Sequence, residues 1–395
     1  MIGTGGSVYA DLARKAVESG GAAFFMDVDG TTASYLEDPP DQELEARREI
    51  REIAETQGAY ILTTARTPEL CMSEGMLMAS REAGFTRLNP KCYIENGVRV
   101  YRPLSTIRKY AHLTDPDAIN SIGEGVWVKC DGVFRRDKSF YERYKVTNEE
   151  WKRGIRLLLD VVDTDNLIRG GFSKLEDPDS HQNGLVDVQE VECRFEITAE
   201  PGVDGAQWKK LVKERLLQHR NNKVEASLAQ ISRSIEFIDE SVPSRGRYQL
   251  YIVPHKRLTK EGAFNHILKQ MSIESGIPTA EFTTVSAGDR MPDLLAGLFG
   301  GNRGFFILAG GSVLTEYLVG DKKGQDFAGQ NLSSIVRRLK PIEGRRGWYL
   351  FKMPGMSHYR VVIIADEAVK GGKTDAESVL EVIKQINGNL LQAPA

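Results

Sequence analysis

The 395-residue chain has only four cysteines and six histidines, and no long apolar run. Cys71, Cys92, Cys130 and Cys193 are widely spaced and form no CxxC pair. This spacing argues against a disulfide framework or a cysteine-based zinc site, and it fits a reducing cytoplasm. The histidines show neither HxxxH nor HExxH spacing, so a histidine zinc site has no support. Apolar runs such as 22–26 and 361–365 fall far short of the about 20 residues that span a bilayer. Residues 1–7 are Gly-rich and lack the basic-then-apolar order of a secretory leader, so none is expected. An excess of one charge sign is missing too: 52 basic against 55 acidic residues give a net of −3. Global charge therefore gives no reason to expect nucleic acid or an anionic membrane as partner.

What is present is an ordinary globular composition, 41% hydrophobic and 27% charged. At roughly 100–200 residues per domain it predicts two or three domains. A helix over 9–19 precedes a continuous apolar run at 22–26, the pattern of a strand buried on both faces of a parallel sheet. A charged helix follows over 41–56, with Leu44, Ile50 and Ile53 as its apolar side and its Glu and Arg residues read as a solvated face. Strands are predicted at 59–62 and 92–94, with a helix from Pro68 to about residue 83 between them. Asn96-Gly97 then predicts a hairpin to a strand over 98–101.

From about 103 to 247 the style changes. Strand-like pieces at 126–129 and 186–197 mix with helical ones at 149–162 and 205–217, and this stretch reads as an inserted α+β domain. Buried-type strands resume at 248–253, 282–286 and 304–308, alternating with helices at 260–275 and from Pro292. Strands alternating with helices on both sides of an insertion imply one interrupted α/β sheet domain. The expected division is 1–102 and 248–320 for the sheet core, 103–247 for the insertion, and 321–395 for a C-terminal extension of unassigned role.

Four features could carry chemistry. Asp27-Val28-Asp29-Gly30-Thr31 follows the first apolar run, and catalytic groups of open α/β sheets sit at the carboxyl ends of strands. Two carboxylates two residues apart could hold a cation, divide nucleophile and acid roles, or merely form a polar turn. A calcium loop counted from Asp27 would need Gly and Glu where Thr32 and Asp38 stand, so that reading fails. Thr64 follows the second strand, where a hydroxyl and loop N–H groups can bind phosphate, although Thr is common at strand ends. In Gly288-Asp289-Arg290-Met291-Pro292-Asp293, one helical turn would bring Asp289 and Asp293 to one face. Oxygen ligands of this kind suit Mg²⁺, and helix capping by Asp289 is the alternative. Lys260 opens a helix, where a cation is unfavourable unless an anion lies near; a solvated lysine is the alternative.

Some patterns fail. Gly372-Lys373-Thr374 ends like a P-loop, but the first glycine would fall at Glu367. Ser312 follows Gly310-Gly311, but a nucleophile elbow would need Gly at Leu314.

In order along the chain, the four features resemble the motifs of the haloacid-dehalogenase-like phosphohydrolase superfamily, over about residues 22–100 and 248–310. The large insertion and Ile94-Glu95-Asn96-Gly97 resemble its subgroup with a large α+β cap, which includes Cof-type and sucrose-phosphate-phosphatase-like enzymes. The resemblance implies a Rossmann-like parallel sheet core with an inserted cap domain. It also implies Asp27 as nucleophile and Asp29 as acid and base. Thr64 and Lys260 would bind the substrate phosphate. Mg²⁺ would be held by Asp27, Asp29, Asp289 and Asp293. The substrate would be a small phosphorylated metabolite, a sugar phosphate first of all. A phosphomutase, or a non-catalytic regulatory protein on the same fold, is the alternative. Thr32 stands where an apolar residue is common, with little effect expected. Arg135, Arg136, Lys138, His181 and Arg194 are candidates for substrate contact in the insertion, against a reading as solvated surface.

Overall fold

The computed structural model describes residues 7–18, 21–33, 40–64, 92–94, 98–103, 126–129, 132–141, 186–188, 193–198, 236–239, 247–253, 259–300, 303–309, 312, 314–318, 335–352, 355, 358–369 and 373–390. The expected helices at 68–83, 149–162 and 205–217 lie outside them. Two compact units emerge: Met1–Lys138 with Lys260–Gly324 and Ser334–Ala395, and Ser139–Thr259 with Gln325–Ser333.

The larger unit is built on β1 (Ala22–Asp27), β2 (Gly58–Thr63), β3 (Cys92–Ile94), β4 (Val98–Pro103), β5 (Val126–Lys129) and β6 (Gly132–Arg136). The smaller unit contains β7 (Val186–Val188), β8 (Cys193–Thr198), β9 (Glu236–Asp239) and β10 (Arg247–Val253). The chain then returns to the first sheet with β11 (Thr283–Gly288), β12 (Arg303–Leu308), β13 (Leu339–Pro341), β14 (Trp348–Phe351) and β15 (Arg360–Ile364). The large sheet has the order β13-β14-β15-β12-β11-β1-β2-β3-β4-β6-β5. From β15 to β3 all neighbours run parallel, while β13, β14, β4, β6 and β5 add antiparallel edges. The fold is therefore α/β with a mostly parallel sheet.

Three sequence expectations meet a different arrangement. The sequence puts the 126–129 strand in the insertion, whereas β5 and β6 extend the large sheet through β4. The apolar run at 248–253 suggests a return to the parallel sheet, whereas β10 pairs antiparallel with β8 and β9. An apolar run suits either sheet, so hydrophobicity alone does not choose the partner. The C-terminal stretch is integral to the core, because β15 continues the parallel sheet beside β12.

Helices α1 (Val8–Val17), α2 (Asp41–Thr56), α3 (Lys260–Ser275), α4 (Met291–Phe299) and α5 (Asp375–Leu390) pack around this sheet. The two-residue period of β1 divides its side chains between two layers. Ala22, Phe24 and Met26 join one buried cluster with Ile50 and Ala54 of α2 and Val379, Val382, Ile383 and Ile386 of α5. Phe25, on the opposite face, stacks on Phe264 of α3, ring centroids 3.7 Å apart. On that side α1 packs on α3. Tyr9 donates to Asp137 Oδ2, and His266 Nε2 lies 2.8 Å from the same oxygen.

The charged helix α2 is less solvated than its composition suggests. Glu43, Arg47 and Arg51 are buried. Arg47 pairs with Glu43 one turn away, and the Arg51 guanidinium lies over the Tyr60 ring. Pairing lets these charges leave water together. The P-loop-like Thr374 has a local task at the start of α5. Its N–H donates to Glu377 Oε2 at 2.9 Å, and Glu377 N–H returns to Thr374 Oγ1 at 3.4 Å, a capping box.

Candidate active site

Asp27 is the last residue of β1 and Gly288 the last of β11. The two strands are parallel neighbours in register, Met26 opposite Ala287. Their carboxyl ends therefore deliver Asp27 and Asp289 side by side. Asp293 lies in the first turn of α4, where the helix dipole favours a carboxylate. Asp289 precedes α4 and Arg290 stands at its N-cap position without a capping hydrogen bond, so the two carboxylates meet across a turn and a helix start, not along one helical face. Ligand oxygens of Asp27, Asp289 and Asp293 lie within 4.8 Å of one another.

Lys260, the first residue of α3, reaches into this group. Its Nζ lies 2.8 Å from Asp27 Oδ1 and 2.7 Å from Asp293 Oδ1. Asp27, Lys260 and Asp293 are all buried. Burial and the charges of Asp293 and Asp289 push the Asp27 carboxyl well above its usual range, against the opposing pull of Lys260. For Lys260, burial disfavours the charge. The Asp27 and Asp293 carboxylates more than reverse this, holding the ammonium well above its ordinary value. One lysine thus pairs with two of the three clustered carboxylates.

The donor set fits a divalent cation. It is all oxygen, as hard ions prefer. Asp293 Oδ2 is buried and has no hydrogen-bond partner among the described residues. An acceptor in that state is costly unless a cation or donor meets it.

Asp29 stands apart from this trio, half-buried in the turn after β1. That turn bridges Asp29 to Ala33 and requires Gly30 at φ 67°, a backbone region open to glycine. Thr64 follows β2 directly and is fully buried, its N–H donating to Ile94 O at 2.9 Å. Since Thr63 pairs with Asp27, Thr64 belongs to the same end of the sheet. The side chains of Arg135, Arg136, Lys138 and Arg194, and all of His181, lie outside what is described.

Two hydroxyls that the motifs do not single out are also present. Thr32 Oγ1 donates to the Asp27 carbonyl at 2.7 Å, and Ser312 Oγ donates to the Asp289 carbonyl at 2.5 Å. The Thr after Gly30-Thr31 is the one sequence signal for the first. Ser312 lies 23 positions from its partner and carries no local signal. A third contributor is Gly288, where a Cβ would lie 2.1 Å from Asp293 Cβ.

No protein-family model matches the chain, and neither does any curated protein. Among solved structures, an IMP-nucleotidase of Plasmodium falciparum is similar at 8% identity with a TM-score of 0.33, over 72% of this chain. The chain covers 57% of that structure's length.

Proposed function

We propose that this chain is a Mg²⁺-dependent phosphohydrolase acting on a small phosphorylated metabolite, a sugar phosphate first of all. The observation that carries the reading is the strand-end trio Asp27, Asp289 and Asp293 around Lys260, with Asp293 Oδ2 buried and unmatched. The ordered motifs that resemble the haloacid-dehalogenase-like superfamily support it independently.

In this reading Asp27 Oδ attacks phosphorus, forming an aspartyl-phosphate as the ester P–O bond breaks. Asp29 gives its proton to the departing alkoxide. Water then attacks the same phosphorus, Asp29 takes the water's proton, and the Asp27–phosphorus bond breaks to restore the carboxylate. Covalent relay of this kind divides one difficult displacement into two easier ones. Lys260 and Thr64 bind phosphoryl oxygens and offset their charge. A cation held by Asp27, Asp289 and Asp293, with the Asp29 main-chain carbonyl that the resemblance adds, supplies charge neutralisation for an anionic nucleophile meeting an anionic substrate. The motif residues address only the phosphoryl group. Choice among alcohols is therefore assigned to the inserted part of the chain, which we take as the cap.

A phosphate-release screen over phosphorylated metabolites, with Mg²⁺ and with chelator, tests the proposal. Release of inorganic phosphate that stops with chelator is expected. Transfer of phosphate between substrate hydroxyls with no release, or equal release under chelator, would overturn it.

A further inference from the structure

Three carboxylates within 4.8 Å repel one another, so something other than their own charges must fix where they stand. Lys260 restrains Asp27 and Asp293 directly. The main-chain carbonyls of Asp27 and Asp289 each accept from a hydroxyl side chain.

The β1–β2 ladder ends at Asp27 opposite Thr63. Immediately beyond it the chain folds back. The Val28 carbonyl accepts from Thr31 N at 3.2 Å, Thr32 N at 3.1 Å and Ala33 N at 2.7 Å. This tight turn returns Thr32 to the strand end, and its hydroxyl donates to the Asp27 carbonyl. After β11 a hydroxyl from beyond β12 takes the corresponding place. Gly288 O accepts from Ala309 N at 3.0 Å, and the next carbonyl, Asp289 O, accepts from Ser312 Oγ. Ser312 Oγ is itself fixed, accepting from Leu314 N at 3.2 Å. Both hydroxyl side chains are buried, where a bond once formed has little competition from water.

We infer that Thr32 and Ser312 are positioning residues for the cation site, each clamping the peptide from which one carboxylate ligand projects. The inference rests on reading that site as a divalent-cation site, and it deepens that reading. Neither residue touches the ion or the reacting phosphorus; each acts through the carboxylate it holds. Groups that orient metal ligands typically change affinity by about 10–100-fold when lost.

The test is a Mn²⁺ titration of the full chain, read by the loss of free-ion electron paramagnetic resonance signal. Wild type, Thr32→Val, Thr32→Ser and Ser312→Ala are compared, with metal-free unfolding midpoints alongside. Thr32→Val keeps the shape and removes the hydroxyl; Thr32→Ser keeps the hydroxyl. The expected result is about ten-fold weaker Mn²⁺ binding in Thr32→Val and in Ser312→Ala, with Thr32→Ser close to wild type. Should Thr32→Val fail to fold, Ser312→Ala carries the test. Wild-type affinity in both hydroxyl-deleted variants would overturn the inference while leaving the cation site standing. A lower unfolding midpoint with unchanged affinity would do the same, because it marks a purely structural bond. A wild type that binds no Mn²⁺ would overturn the cation-site reading itself.

Discussion

Phe264 stacks on Phe25 at 3.7 Å between ring centroids, and that contact sets the position of Lys260. Lys260 is one helical turn before Phe264, and Asp27 is two strand positions after Phe25. Residues four apart on a helix share a face, as do residues two apart on a strand. Stacking the two rings therefore lays Lys260 over Asp27, where Nζ to Oδ1 is 2.8 Å. An apolar contact and an ionic one are steps of the same register.

Lys260→Met keeps most of the apolar stem of the side chain and removes its charge. Asp27 and Asp293 would then be buried without the ammonium that pairs them. Removing one partner of a buried ion pair costs about 3–5 kcal/mol. The metal-free variant should unfold at correspondingly lower denaturant, and Mg²⁺ should restore more stability to it than to wild type. Denaturant titrations with Mg²⁺ and with chelator measure both. A variant whose unfolding ignores Mg²⁺ would show that the carboxylates hold no cation.

Gly288→Ala tests how closely the sheet and α4 approach. The added Cβ would lie 2.1 Å from Asp293 Cβ and 2.5 Å from its Cγ, closer than real contacts allow. Asp293 must move, and it takes a carboxylate oxygen of the candidate site with it. Overpacking of this kind costs about 1–3 kcal/mol. Divalent-cation affinity should fall by about ten-fold or more. Mn²⁺ titration and chemical denaturation of the variant report the two effects separately.

The parts of this arrangement that could be read from sequence are those with a local signature. The run ending at Met26 is apolar at every position because both faces of β1 are covered, and its abrupt stop at Asp27 marks the strand end. Asp289, Asp293 and Lys260 were identifiable from their places at strand and helix ends. Thr32 is visible in the sequence, but its role depends on a turn that returns its hydroxyl to Asp27. Ser312 had no signal, since its partner is set by the pairing of β11 with β12. The same non-locality hid the placement of β15 beside β12 and of β10 in the second sheet. Glu43 and Arg47 looked like solvated surface because sequence shows charge, while burial depends on what packs above them.

Asp375 gives the stability a pH dependence of its own. It lies in the first turn of α5, and burial with the charges of Asp366 and Glu43 pushes its carboxyl up to about 6. A folded-state value above the unfolded one means the folded chain holds its proton longer. The contribution is fully present below the unfolded pKa of about 4 and is lost as pH rises through about 6. Asp375→Asn cannot lose that proton. Its melting temperature relative to wild type should rise between pH 4 and pH 7, then level off. Thermal melts of both proteins across that range check the sign.

The most direct measurement is Mg²⁺-dependent phosphate release from an aryl phosphate by wild type and Asp27→Asn. Asn keeps the size of Asp27 but lacks the anionic oxygen that attacks phosphorus in this account. The account predicts turnover by wild type that chelator abolishes, and none by Asp27→Asn at any Mg²⁺ concentration. Equal turnover by the two proteins would contradict it.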